Sequence, residues 1–176
     1  MSDVGCPLPG TSNCYVISME IDPRTQIGHV HLTVANLDRA LAFYRDVLGF
    51  EVTGQYGREA VFLSAGGYHH HVALNTWAGA GAPAPAPGTT GLYHFAILYP
   101  DRKALARALK NVLDNGIALE GASDHGVSEA IYLRDPDGNG VELYRDRPKE
   151  EWPRAEDGSL RMHTRPLNLA QLLAEA

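Results

Sequence analysis

Histidine is the residue type that stands out in this chain, with eight among 176 residues. His29 lies in a short run in which apolar and polar residues alternate, His94 lies in the predicted strand G-L-Y-H-F-A-I-L, and residues 69–71 are three consecutive histidines. A single carboxylate, Glu142, lies in a further run of this kind near the end of the chain. Two imidazoles and one carboxylate on one face suit non-haem Fe(II), because they leave coordination positions open for substrate and O2.

Glu142 lies in a stretch that predicts two strands and a tight turn. Ile131–Arg134 is rich in β-branched and aromatic residues, and the turn that follows reads D-P-D-G-N-G. The sequence V-E-L-Y then alternates, which places Val141 and Leu143 on one face and Glu142 on the other. Such a carboxylate either lies on the solvated face of a sheet or is a ligand inside a cup.

The histidines occupy matching places in an internal repeat. The sequences G-H-V-H-L-T-V-A-N-L-D-R-A-L and Y-H-F-A-I-L-Y-P-D-R-K-A-L share a histidine in a first strand, and at a helix start one reads D-R-A-L and the other D-R-K-A-L. Asn36 and Asp101 are the expected helix N-caps, and Gly49 and Gly116 the expected helix ends. In each copy one strand, one helix and three strands follow in the same order. The predicted elements are strands at 27–34, 50–53, 60–64, 69–76, 91–98, 117–119, 130–134 and 140–144, and helices at 37–48 and 102–115.

The repeat predicts an α+β fold made of two paired β-α-β-β-β modules. Each module has a sheet that cannot bury its face alone, so pairing gives a curved, mostly antiparallel sheet around a metal-binding cup, with helices outside. The expected divisions are an N-terminal arm at 1–26, the modules at 27–77 and 92–147, an Ala/Pro/Gly linker at 78–91 and a tail with a short helix at 148–176.

Superposition of the two copies places His29 on His94 and Ala73 on Glu142. The cup would therefore hold two imidazoles and one carboxylate, and Ala73 would vacate the fourth symmetric position. Taken singly, a strand histidine is more often an ordinary core or surface residue, and a lone Glu142 would be solvated. The joint placement of three repeat-related residues on the faces opposite the apolar ones favours a metal site.

Composition limits the possible partners. The apolar fraction of 44% and the charged fraction of 20% are typical of a soluble globular protein. The net charge of −6, with no cluster of Lys or Arg, argues against a nucleic-acid partner, and no apolar run reaches the ~20 residues of a membrane span. Cys6 and Cys14 could form one disulfide, but two free thiols in a cytoplasmic protein are favoured.

The chain resembles the vicinal oxygen chelate superfamily, which includes glyoxalase I, bleomycin-resistance proteins and the type I extradiol dioxygenases. The resemblance covers residues 27–147 and is carried by the paired modules, by F-Y-R-D-V-L-G-F and by D-P-D-G-N-G-V-E-L. H-H-V-A-L, L-Y-H-F-A-I and H-G-V-S-E-A-I-Y-L-R-D-P-D-G further resemble the catechol 2,3-dioxygenase type. This implies an Fe(II)-dependent or Mn(II)-dependent enzyme that cleaves a catechol-like aromatic diol with O2.

The resemblance also implies a role for each matched position. His29, His94 and Glu142 correspond to the metal ligands. His70 corresponds to an acid–base histidine, and His125 and Tyr132 correspond to groups that orient substrate. A further substrate-side role is implied for His31, and His71 is an alternative to His70.

His70 and His71 compete for one inward position. Strict alternation places His71 on the face of Ala73, whereas the H-x-V-A-L register of the resemblance favours His70. A bulge would reconcile the two. A third interpretation of residues 69–71 is a solvated edge strand or an adventitious metal-binding tract.

Two other functions are compatible with this scaffold. One is a glyoxalase-like isomerase or transferase that uses a Lewis-acid metal, and the other is a non-catalytic module that binds a small molecule. Ala73 argues against the first, and the His/His/Glu set argues against the second. Because the chain has only one pair of modules, we expect the tail or a partner subunit to close the cup in a homodimer or higher oligomer.

Overall fold

A computed structural model describes residues 20–176 of the chain. Cys6, Cys14 and most of the predicted N-terminal arm therefore lie outside the described residues. No helix in the described part of the chain is both long enough and apolar enough to cross a membrane.

The first module begins with strand β1 and its helix. The helix starts at the predicted cap, where the Asn36 side chain accepts a hydrogen bond from the Arg39 backbone N–H, and it continues from α-helical into π-helical geometry. Gly49 follows the helix with a φ of +84°, which a glycine adopts without strain. The elements are β1 (Val30–Thr33), α1 (Leu37–Leu41), the π-helical segment (Ala42–Val47), β2 (Glu51–Tyr56), β3 (Ala60–Ser64) and β4 (Val72–Asn75).

The second module repeats this order after residues 76–94, which are described throughout and contain neither helix nor strand. Its helix is capped by Asp101, whose side chain accepts a hydrogen bond from the Ala104 N–H. The predicted strand at 117–119 begins later in the structure, because Ile117 is still tied to the helix end through a bond from its N–H to the Val112 carbonyl. The elements are β5 (Phe95–Leu98), α2 (Arg102–Asp114), β6 (Leu119–Asp124), β7 (Ser128–Arg134) and β8 (Gly140–Asp146).

The predicted α+β architecture of two β-α-β-β-β modules is confirmed. Each module forms its own open sheet, in the order β1-β4-β3-β2 for the first and β5-β8-β7-β6-β9 for the second. The first strand of each module pairs in parallel with the last, and the remaining neighbours are antiparallel. Among the described residues the hydrogen-bonded ladders do not run continuously from one sheet into the other.

The strand register reproduces the internal repeat residue by residue. Val30 pairs with Val72 in the first module, and Phe95 pairs with Val141 in the second. Ala73 and Glu142 therefore occupy equivalent positions, as the superposition of the sequences predicts. Even the irregularities match, since the register shifts between Val52 and Gly54 in β2 and between Leu119 and Gly121 in β6.

The turn between β7 and β8 connects the second module to the first. The buried Asp135 accepts a hydrogen bond from the Tyr44 hydroxyl at 2.8 Å, and Tyr44 lies in the π-helical segment with no solvent exposure. Asp137 accepts one hydrogen bond from the Ala35 N–H at 3.1 Å and one from the Arg39 guanidinium. Burial, and then the charge of Asp135, raises the pKa of Tyr44, which keeps its phenol protonated as a donor.

The C-terminal tail is held at three places. Strand β9 (Arg165–Pro166) adds to the edge of β6, and helix α3 (Leu169–Leu173) packs on α2 with Leu172 fully buried. Beyond α3, Glu175 forms an ion pair with Arg102 of α2. The predicted short helix thus exists, and the tail also supplies a fifth strand to the second sheet.

We predict that Tyr44→Phe lowers the free energy of unfolding by about 1.5–3 kcal/mol, because it removes a buried hydrogen bond to a carboxylate. Urea denaturation measures the loss. Tyr56→Phe is the matched control, because Tyr56 is 68% exposed. An unchanged midpoint for Tyr44→Phe would show that the Asp135 contact does not hold the modules together.

Candidate functional site

Glu142 and His94 meet near the β5 edge of the second sheet. Glu142 lies in β8 between Val141 and Leu143, both fully buried, so its carboxylate projects from the opposite face. His94 directly precedes β5, whose first residue pairs with Val141. His94 Nε2 and Glu142 Oε2 are 2.9 Å apart, and the two side chains are 30% and 13% exposed. An imidazole nitrogen and a carboxylate oxygen are therefore presented together and within reach of solvent.

Tyr132 and His125 extend this pair into a chain of polar groups. Tyr132 of β7 is directly opposite Glu142 in the ladder, and its hydroxyl is 3.4 Å from Glu142 Oε1. The same hydroxyl is 2.7 Å from His125 Nε2. Burial, and then the Glu142 carboxylate, raises the pKa of Tyr132 to about 12. The phenol is therefore protonated at neutral pH and has one hydrogen to donate.

A cavity of about 320 Å³ lies against this chain of groups. It is large enough for a single aromatic ring with its substituents. Its wall includes β6, β7, the start of β8 and Thr164 of the tail. The lining residues that bear on the chemistry are Tyr93, His94, His125, Tyr132, Arg134 and Thr164.

His29 and His70 form a second group, on the first module. Their ring centroids are 4.4 Å apart, and the His70 ring lies 5.1 Å from that of Phe62. His70 Nδ1 is also 2.8 Å from His69 Nδ1. Burial, followed by the neighbouring His29 and His69, lowers the pKa of His70, which favours the neutral form of its imidazole.

His71 is turned away from this group. Its Nδ1 lies 3.1 Å from Ser64 Oγ, and it accepts a hydrogen bond from the Ala65 N–H at 3.3 Å. Residues 69–71 precede β4 in irregular backbone, so strict alternation does not extend back to them. His70, rather than His71, is therefore the residue that lies beside His29.

His31 lies in β1, two residues beyond His29, and both histidines are exposed. Its Nε2 is 3.0 Å from the Asn75 amide nitrogen, and its ring meets the Trp77 ring edge-on at 5.4 Å. Neither His31 nor His71 lines the cavity beside Glu142.

The predicted site residues thus fall into two sets, one on each module. The second module brings together His94, Glu142, Tyr132 and His125, and the first brings together His29 and His70. Within residues 20–176 no three His, Cys, Asp or Glu side chains form a group that could hold a metal ion. The assignment of His29, His94 and Glu142 as metal ligands accordingly stays a prediction.

The family to which the chain belongs is shown by a family model that matches most of its length. The family model of the Glyoxalase/Bleomycin resistance protein/Dioxygenase superfamily matches residues 26–143. The chain belongs to this superfamily.

Curated relatives within the superfamily include aromatic-ring dioxygenases. The chain is 46% identical over 152 residues to a catechol-2,3-dioxygenase of Bacillus subtilis, which covers 86% of this chain and 52% of the relative. It is 38% identical over 129 residues to biphenyl-2,3-diol 1,2-dioxygenase 3 of Rhodococcus globerulus, which covers 73% of this chain and 66% of the relative. The chain thus spans about half the length of the first of these relatives and 66% of the second.

Solved structures of the superfamily share the fold. A lactoylglutathione lyase from Agrobacterium tumefaciens superposes with a TM-score of 0.54 at 29% sequence identity, covering 70% of this chain and 96% of that protein. The two-module α+β arrangement is therefore that of the superfamily.

Several residues of the site are not among those predicted from the sequence. Phe62, which packs on His70, has the same position in β3 as Tyr132 in β7, so the repeat could have identified it. His163 and Thr164 approach His125 from the tail, at 3.1 Å and 3.3 Å from its Nδ1. Because the contact of His163 is made by its backbone carbonyl, no side-chain pattern could have predicted it.

We predict that Gly140→Ala displaces His94 and lowers the free energy of unfolding by about 1–3 kcal/mol. A Cβ at Gly140 would lie 2.1 Å from the Tyr93 carbonyl oxygen and 2.9 Å from His94 Cβ, so the start of β5 must move. Amide NMR shifts around residues 93–95 and chemical denaturation measure the two effects.

Gly54→Ala is the control for this variant, because Gly54 also lies in a strand and its Cβ would make only ordinary contacts with Phe62, at 3.5 Å. Undisturbed amide shifts at residues 93–95 in Gly140→Ala would contradict the close approach of these two segments.

Proposed function

We propose that this chain is a metal-dependent extradiol-type dioxygenase that cleaves a catechol-like aromatic diol with O2. The observation that carries the proposal is the His94–Glu142 pair, which is joined to Tyr132 and His125. His94, Tyr132 and His125 line a cavity of about 320 Å³. The similarity to dioxygenases of aromatic diols supports this substrate class.

The proposed metal ligands are His29, His94 and Glu142. Imidazole nitrogen and carboxylate oxygen suit divalent iron and manganese, and the 2.9 Å separation of His94 and Glu142 is short enough for one ion to contact both. Ala73, with no solvent exposure, is the repeat equivalent of Glu142 and offers no ligand, so such an ion would keep positions open. Fe(II) is the proposed metal and Mn(II) the alternative.

The bound metal would supply the site for diol and O2 and the electron chemistry of the reaction. The remaining tasks fall to side chains of the protein. The lowered pKa of His70 favours its neutral form, which could take a proton from a diol hydroxyl and return it later in general acid–base catalysis. This role requires the first module's group of histidines to face the same substrate as Glu142.

Tyr132 and His125 would orient the substrate oxygens. Their 2.7 Å contact restricts the direction of the Tyr132 hydroxyl, and a positioned hydrogen-bonding group contributes most where charge develops during the reaction. His31 and His71 stay proposed as more distant substrate contacts.

A homodimer or higher oligomer is proposed as the working form. Among residues 20–176, β1 and β5 each pair on one side only, and Leu92 and Tyr93 before β5 and Leu98 at its end are 55%, 80% and 55% exposed. Unpaired strand edges with exposed apolar residues are surfaces that favour association.

A glyoxalase-like isomerase is the second candidate. It is favoured by the similarity in fold and sequence to the lactoylglutathione lyase of Agrobacterium tumefaciens. A hemithioacetal assay with Ni(II) or Zn(II) distinguishes the two, since only the isomerase would form product without consuming O2.

We predict that His94→Ala and Glu142→Ala each weaken Fe(II) binding by more than the ~10–100-fold that supporting residues of a metal site contribute. Metal analysis after anaerobic loading measures the bound ion, and an oxygen electrode measures O2 uptake with catechol.

His69→Ala is the control for metal retention in these two variants, because His69 is exposed and is not among the proposed ligands. Wild-type protein that retains no metal and takes up no O2 would contradict the proposal, as would full metal retention by both variants.

We predict that His70→Asn reduces kcat by about 10²–10⁴-fold, the usual contribution of a positioned acid–base group, while metal content stays that of the wild type. Steady-state O2 uptake and metal analysis of the same preparation separate the two effects. A kcat equal to that of the wild type would remove His70 from the reaction and direct attention to His71.

A further inference from the structure

The C-terminal tail reaches the ring of His125, although it lies far away in sequence. The His163 backbone N–H donates to the His125 carbonyl at 3.2 Å, so the two segments are joined by their backbones. The His125 side chain also contacts the tail, because its Nδ1 is 3.1 Å from the His163 carbonyl oxygen and 3.3 Å from Thr164 Oγ1. One nitrogen of the ring, Nδ1, therefore contacts the tail, and the other, Nε2, contacts Tyr132.

The chemistry of these partners determines where the ring hydrogen of His125 lies. A carbonyl oxygen can only accept, so the bond at 3.1 Å requires a hydrogen on Nδ1. The Thr164 hydroxyl can donate or accept and is compatible with that assignment. In a neutral imidazole with its hydrogen on Nδ1, Nε2 is an acceptor.

This assignment fixes the direction of the Tyr132 hydroxyl. Tyr132 has one hydrogen and two acceptors in reach, His125 Nε2 at 2.7 Å and Glu142 Oε1 at 3.4 Å. The shorter contact takes the hydrogen, because hydrogen-bond strength falls steeply with distance beyond about 3 Å. The Tyr132 oxygen then has lone pairs left for a group in the cavity.

We infer that the tail is a positioning element that holds His125 with its hydrogen on Nδ1, and thereby makes the Tyr132 oxygen an acceptor for a hydroxyl of the bound ligand. The ligand class is a phenolic hydroxyl that is still protonated on binding. This last step rests on the proposed function, whereas the tautomer of His125 does not.

Three features of the described chain hold the tail against His125. Gly126, with a φ of +78°, lies directly under the tail, and a Cβ there would be 2.6 Å from the His163 ring and 2.9 Å from Pro153. Further along, β9 pairs with β6 at Ser123 and Asp124, the residues just before His125. Leu172 then anchors α3 with no solvent exposure.

The test is ¹⁵N NMR of the histidine rings in the full-length, metal-free chain at about pH 8.5, where imidazoles are neutral. His125→Gln assigns the ring signals. We expect the wild type to have hydrogen on Nδ1 of His125 and the Tyr132 hydroxyl hydrogen coupled to His125 Nε2. Gly126→Ala and Leu172→Ala, which loosen the tail at different places, should shift His125 towards a mixture of tautomers.

Gln171→Ala is the matched control, because Gln171 lies beside Leu172 with an exposed side chain and should leave the His125 signals unchanged. Hydrogen on Nε2 in the wild type would overturn the inference. So would an unchanged tautomer in both Gly126→Ala and Leu172→Ala while the amide signals of 163 and 164 move. An Nδ1 hydrogen in a protein that consumes no O2 with catechol would uphold the tautomer and refute the proposed function.

Discussion

The carboxylates of the turn between β7 and β8 are the constraint on which the rest of the structure depends. Asp135 is 4% exposed and Asp137 is 7% exposed, and charges buried to this degree need partners. Their partners come from both modules. Asp135 binds Tyr44 and the backbone of its own turn, while Asp137 binds Ala35 and Arg39. The same turn sets the register of β7 on β8, so one set of bonds joins the modules and aligns Tyr132 with Glu142.

Much of this arrangement could be predicted from the sequence because it follows local rules and repetition. Alternation placed Glu142 opposite the buried Val141 and Leu143, and the repeat placed Ala73 in the equivalent position. Strict alternation predicts that His71 faces the site. The backbone before β4 is irregular, however, and His70 is the residue that lies beside His29. The contact between the His125 ring and His163 could not be predicted, because its acceptor is a backbone carbonyl 38 residues away in sequence.

The two modules divide the chemistry of the proposed site between them. The second module supplies Glu142, His94 and the hydrogen-bonded pair of Tyr132 and His125, in which each group has a defined partner. The first module supplies His70 next to His29, and the pKa of His70 is lowered by burial and by the neighbouring histidines. Equivalent positions of the two modules thus carry residues of different type. Phe62 is apolar where Tyr132 is polar, and Ala73 is inert where Glu142 is charged.

We propose that the residues supplied by the two modules together hold a metal to which an aromatic diol binds directly. Anaerobic titration of Fe(II)-loaded protein with catechol, followed by absorption spectroscopy, tests it most directly. We predict a saturable spectral change with one catechol bound per metal, followed by formation of a yellow ring-cleaved product when O2 is admitted. A loaded protein whose spectrum does not respond to catechol, or which binds catechol equally well without metal, would contradict it.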